Sequence, residues 1–180
     1  MNATRSLLAA MVLGTAIGAT QANAQCSGNA GTCNTTNPAS VTVGSLVKLG
    51  MTSATTTLTP PTADQVDGGL TSGPDAGPTF TIKANRSWTL KIKSQNAANW
   101  SYSGSFAGVK PISDLLWSDA SNGSYVAITS ADVAFTSSGS SSNGTTAQPF
   151  FKTQWTADFT SASNQPGTYS LPIVFTLTAP

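Results

Sequence analysis

The residues able to do acid–base chemistry are few and of one kind. The chain carries seven aspartates, Asp64, Asp67, Asp75, Asp114, Asp119, Asp132 and Asp158, with no glutamate and no histidine. Without imidazole there is no Ser–His or Cys–His nucleophile and no histidine-ligated metal. Asp114 and Asp119, in "SDLLWSDASNG", are the pair a glycoside hydrolysis would draw on, one carboxyl as acid and the other as base or nucleophile. Both stand beside Ser, Ala and Asn residues, so the adopted reading is that of turn-capping aspartates. Asp64 and Asp67 in "DQVDGG" offer oxygens to calcium, but without the alternating ligand spacing of a dedicated calcium loop. The expectation is a non-enzyme with no cofactor.

Aromatic and sulfur chemistry come next. Trp88, Trp100, Trp117 and Trp155 are the four tryptophans. Exposed in a row, such rings stack on the apolar face of a sugar, and Trp100, Tyr102 and Trp117 are the candidates for ligand stacking, although core positions suit them too. Trp88 shares a face with Leu90 and Ile92 and reads as core, while Trp155 in "FFKTQWTADF" is undecided. Cys26 and Cys33, the only cysteines, bracket "SGNAGT". In an exported chain the pair is read as a disulfide, with free thiols as the alternative, and zinc lacks the further ligands it needs. So short a ring removes little chain entropy, which makes it a pin for the N-terminus rather than a support for the fold.

The start of the chain supplies the export. Residues 1–24 combine Arg5, an apolar run from Leu7 and the A-x-A of Ala22 and Ala24, the pattern of a secretory signal peptide cut after Ala24. The apolar run falls short of the roughly 20 residues that span a bilayer, so no transmembrane segment is expected in the mature chain. Removing Arg5 from the eight cations leaves seven against seven aspartates, a net charge of zero. That balance speaks against nucleic acid, whose binding needs a basic patch. Residues 25–39 read as a cysteine-bearing segment and linker, and residues 40–180 as a single domain.

The elements that must position these residues are strands. "SVTVGSLVKLGM", "ATTTLT", "PTFTIKA", "SWTLKIKS", "WSYSGSF", "DLLWS", "SYVAITS", "DVAFTS" and "PFFKTQWTADF" are rich in β-branched and aromatic residues and show period-two alternation. The Ser/Gly run at residues 137–144 reads as a loop. No helical stripe emerges. In the closing "QPGTYSLPIVFTLTAP", Tyr169, Leu171, Ile173, Phe175 and Leu177 share a face, and Pro172 removes a ladder donor in mid-strand. Such a strand either closes its own sandwich or offers an edge to a neighbouring chain. The continuity of the apolar face favours closure, and hence a monomer with polymerisation as the alternative. The fold class expected is all-β, an immunoglobulin-like two-sheet antiparallel β-sandwich.

The export signal, the early cysteine pair, the histidine-free Thr/Ser/Gly-rich strands and the closing Gly167-x-Tyr169 strand resemble bacterial secreted pilins and spore coat protein U-like proteins. "RSWTLKI" is similar to the W-x-L strand of bacterial cell-wall surface proteins. The resemblance implies a surface-exposed structural or adhesive module whose partners are other envelope or surface proteins, or glycans. In pilins an N-terminal strand from the next subunit completes the fold, and "SVTVGSLVKLGM" has the alternation of such a donor. The expected function is therefore a secreted, non-enzymatic component at the bacterial surface, periplasmic or extracellular, with a carbohydrate-binding module as the alternative. Mass spectrometry of the exported protein is expected to show a chain beginning at Gln25 with Cys26 and Cys33 bridged; free thiols in secreted material would refute the pairing.

Overall fold

The computed structural model describes residues 38–180. The signal peptide, Cys26 and Cys33 lie outside the described residues. The chain divides into residues 1–42 and a compact unit of residues 43–180, and every described strand and helical turn belongs to the second. The described chain is all-β apart from one helical turn and two short 3-10 segments. Its strands are β1 (Val47–Met51), β2 (Thr71–Ala76), β3 (Phe80–Ala84), β4 (Trp88–Ser94), β5 (Ser101–Ser103), β6 (Leu115–Ser118), β7 (Val126–Ala127), β8 (Val133–Ser138), β9 (Ser142–Ala147), β10 (Phe150–Gln154), β11 (Thr168–Ser170) and β12 (Ile173–Thr178). No described helix is long and apolar enough to cross a membrane.

Every strand pairing is antiparallel, and the pairings assemble into two layers. The first joins β1-β3-β9 to β2-β10-β6-β7. β2 runs on into β3 and β9 into β10, and the Gly77 N–H donates to the Pro149 carbonyl (2.8 Å) to carry pairing across the gap. The second layer is β12-β4-β8, continued by β11-β5, with the Gln95 N–H to Pro172 carbonyl bond (2.9 Å) bridging the two pieces. β4 shows why the sandwich forms: Trp88, Leu90, Ile92 and Ser94 are buried while Thr89, Lys91 and Lys93 stay partly exposed, the period-two pattern of a strand with one wet face. Phe80, Ile82, Leu90, Ile92, Leu115 and Phe151 form the most deeply buried centre. Aromatic rings join the layers, with Phe80 of β3 and Phe175 of β12 at 4.4 Å between centroids and Trp117 of β6 and Phe135 of β8 at 5.7 Å.

Several stretches depart from the sequence expectation: β2 forms where no strand was expected, the strand expected at residues 54–59 joins no ladder, and three others differ as follows. The helical turn α1 (Ala63–Asp67) opens with Thr62, whose hydroxyl accepts from the Gln65 N–H while the Gln65 side chain accepts from the Thr62 N–H. This reciprocal cap holds five residues in a helix without any apolar stripe. The Ser/Gly run expected as a loop instead enters β9, which pairs with β3 along Phe80–Ala84. Its backbone supplies the ladder, and Gly144, at φ +135°, takes a conformation that a side chain would disfavour. The strand expected over residues 40–51 narrows to Val47–Met51, leaving Val41 and Val43 exposed.

The closing strand divides at Pro172, between β11 and β12, where the ring's missing N–H interrupts no ladder. Tyr169, Leu171, Ile173, Phe175 and Leu177 pack against the core, as their alternation requires, yet all remain only partly buried. β12 is an edge in its backbone pairing: β4 occupies one side, while on the other β1 comes close without pairing, and the Ser45 hydroxyl donates to the Pro180 carbonyl (3.3 Å) just past the end of the strand. The expectation that β12 closes the sandwich is thus met on one flank only. In urea titrations Phe80→Ala is expected to cost about 3–5 kcal/mol and Phe175→Ala roughly half as much, because one side of Phe175 has no packing to lose. Equal losses would mean that Phe175 is fully enclosed in solution.

Candidate functional site

The open flank of β12 is one wall of a groove of about 870 Å³. Leu171, Ile173 and Phe175 form that wall, and residues 53–61 form the opposite one. Leu115 of β6 with Phe151 and Thr153 of β10 make the floor, since the inward face of β10 holds its buried residues. Thr153 is 3% exposed, and its hydroxyl has no hydrogen-bond partner. Trp100, Trp155 and Lys110 also line the groove.

Lys110 is the unexpected member, being 1% exposed. Its ammonium donates to Asp114 Oδ2 (3.0 Å) and to the Gln154 carbonyl (2.7 Å), and lies 4.0 Å from the centroid of the Trp155 ring. Three different acceptors therefore replace the water that burial removes. Burial still pushes the ammonium below the ordinary lysine value, while the hydrogen bond and charge of Asp114 push it back up. Trp155 extends the network: its Nε1 donates to Ser72 Oγ (3.0 Å), and Ser72 Oγ donates to the Thr59 carbonyl (2.8 Å) on the far wall.

The residues singled out from sequence are dispersed. Trp100 is 8% and Trp117 6% exposed, so neither presents an open face, and the Trp100 Nε1 donates to the Pro111 carbonyl (3.0 Å). Tyr102 is half-buried, tilted against Tyr169 at 4.9 Å between ring centroids, and its hydroxyl donates to the Pro166 carbonyl (2.7 Å). Gly104, Gly108 and Gly167 crowd its ring so closely that a Cβ at any of them would collide with it. Trp100, Tyr102 and Trp117 consequently make no continuous stacking platform. Asp114 caps no turn but neutralises Lys110, and Asp119 is exposed beyond β6. At about 3.3 Å per residue, the intervening strand places their backbones roughly 16 Å apart, too far for a paired acid and base. Asp64 and Asp67 are both exposed on α1, and no group of three metal-ligating side chains occurs among the described residues.

No protein-family model matches the chain, and no curated protein matches it. Among solved structures, a chain in a structure of a chaperone–usher pilus is similar, with a TM-score of 0.48 and 10% sequence identity over 86% of this chain and 99% of that one.

The groove is lined chiefly by apolar side chains and by threonines. Both of its long walls are extended backbone, its floor is mainly apolar, and its one cation is already satisfied. Lys110 carries a measurable consequence. Its proton is held less tightly in the folded chain than in the unfolded one, so its contribution to stability rises as pH climbs from the lowered folded value towards 10.5. Denaturation of wild type and Lys110→Met compared from about pH 8 upward should show that rise in the wild type alone. Asp114→Ala, which strands a buried ammonium, should cost about 3 kcal/mol at neutral pH. Parallel pH curves for wild type and Lys110→Met would refute the assignment.

Proposed function

We propose that this protein is a secreted, non-enzymatic structural component of a bacterial surface that assembles by accepting an extended strand of a second copy into the groove beside β12. One observation carries the reading: β12 has an unpaired outer edge, and the apolar face behind it lies half-exposed along a groove walled by backbone. An inserted strand would satisfy ladder hydrogen bonds and remove that face from water, at roughly 25 cal/mol per Å² of apolar surface buried. Proteins that remain monomeric generally protect such edges. Pro172 interrupts this edge at one point, and beyond it Ile173 and Phe175 line the groove.

The strand itself comes from residues 38–46. Gly44, Ser45 and Leu46 are tied to Asn85 and Arg86, but residues 38–43 make no hydrogen bond to a described strand, and Val41 and Val43 alternate there while exposed by 88% and 65%. β1 takes Val47–Met51 into pairing with β3, so only the residues before it are available for donation. Export through the signal peptide places the assembly outside the cytoplasm. Adhesion is a property such an assembly would confer through its surface. A glycan-stacking role draws no support from the buried Trp100 and Trp117.

Light scattering and electron microscopy of the mature protein are expected to show concentration-dependent linear oligomers. Val41→Asp combined with Val43→Asp should abolish them while leaving the circular dichroism of the fold unchanged. A wild type that stays monomeric, and that also fails to bind a peptide of residues 38–46, would overturn the reading.

A further inference from the structure

The wall opposite β12 is a strand without a ladder. Among the described residues, no backbone hydrogen bond connects Ser53–Leu58 to a neighbouring strand. Yet Thr56 and Leu58 turn half-buried toward the interior while Thr55 and Thr57 stay exposed, the alternation of a half-buried strand. The segment is held at its two ends. At the first, the Thr52 N–H donates to the Thr79 carbonyl (3.1 Å) and the Thr79 N–H to Thr52 Oγ1 (3.0 Å). At the second, Asp75 receives the Thr59 N–H on one carboxylate oxygen (2.8 Å) and the Thr59 hydroxyl on the other, and Ser72 Oγ donates to the Thr59 carbonyl. Pro60 and Pro61 follow at once and fix the exit of the chain.

We propose that Asp75 is a positioning residue for strand capture, latching the strap Ser53–Leu58 at a separation from β12 that admits one incoming strand and presents its unpaired backbone to it. This rests on the strand-accepting reading of the groove. The carboxylate is the only charged group among the contacts at Thr59, and it takes both donors of that residue, so the latch is bidentate and charge-assisted. A strap fixed in advance spares the incoming strand the entropy of ordering it. Without the latch the strap swings about Thr52, the groove opens more readily, and a captured strand leaves faster. Through Ser72 the latch also touches Trp155.

The test uses the full mature chain carrying Val41→Asp and Val43→Asp, which removes self-assembly, and a fluorescein-labelled peptide of residues 38–46 as probe, followed by its anisotropy in stopped flow. Asp75→Ala is expected to release the peptide about tenfold faster with association at least as fast, and Asp75→Asn, which keeps an acceptor for the Thr59 N–H, to stay within about twofold of the parent. Ile128→Val, a core truncation outside the groove, should leave both rates alone. If Asp75→Ala does not fold, Thr59→Val removes the hydroxyl half of the latch and should speed release in the same direction. Release rates unchanged in the latch variants, or changed equally by Ile128→Val, would overturn the latch while the groove reading stands. A parent that captures no peptide overturns the groove reading, and the latch with it.

Discussion

The contact of Phe175 with Phe80, between the last strand and the opposite layer, is the constraint from which the remaining features follow. It anchors β12 over the core through one side of each apolar residue, while β4 supplies all of its backbone pairing. On the other side β1 comes close without adding a ladder. A sandwich closed on both flanks would bring β1 and β12 together along their length. In this chain β1 ends at Met51, and the backbone continues as an unpaired strap. The result is a core complete at its centre, where Phe80, Ile82, Leu90 and Ile92 are fully buried, and incomplete along one seam. The fold is marginal where the seam lies, because hydrophobic burial has to offset the entropy of ordering those same residues.

Lys110 looks like a liability in such a protein, since removing an ammonium from water costs more than most ion pairs return. Its position explains the tolerance. It ties the loop before the 3-10 turn Ile112–Asp114 to the end of β10 by way of the Gln154 carbonyl, and it presses on Trp155, whose indole N–H leads to the strap. One cation thus links floor, end and far wall of the groove. A methionine in its place could pack as well but could not satisfy Asp114 and the Gln154 carbonyl together.

What was legible in the sequence was whatever alternates against a partner. β4 could be read from Trp88, Leu90 and Ile92, and β12 from Ile173, Phe175 and Leu177, because the apolar side chains themselves record which face is buried. β9 could not be read, for "SNGTTA" contributes backbone to the ladder and hardly any side chain to the core. α1 was legible in principle through the Thr62-x-x-Gln65 cap, a signal carried by polar residues in a stretch whose prolines and glycines suggest a break. The groove was invisible for a deeper reason. A missing strand leaves no pattern of its own, and the residues lining it alternate just as they would beneath a complete sheet. Lys110 and Asp114 were hidden as well, since a lysine four residues before an aspartate is ordinarily a solvated pair, and only the tertiary fold draws it inside.

With no histidine in the chain, no side chain with an unperturbed titration near neutrality exists to change charge between about pH 5 and 8. The strap and the groove floor are built largely from Thr, Ser and apolar residues. A groove that depends on backbone ladders and apolar burial should therefore keep its affinity for a strand across that interval. Its response to salt should be small too, since the chain carries a net charge of only +1 and screening has little long-range field to weaken. The sensitivity that remains is steric. Only an extended segment with apolar residues at alternate positions can meet β12 and the strap at once, and the exposed Val41 and Val43 have that spacing.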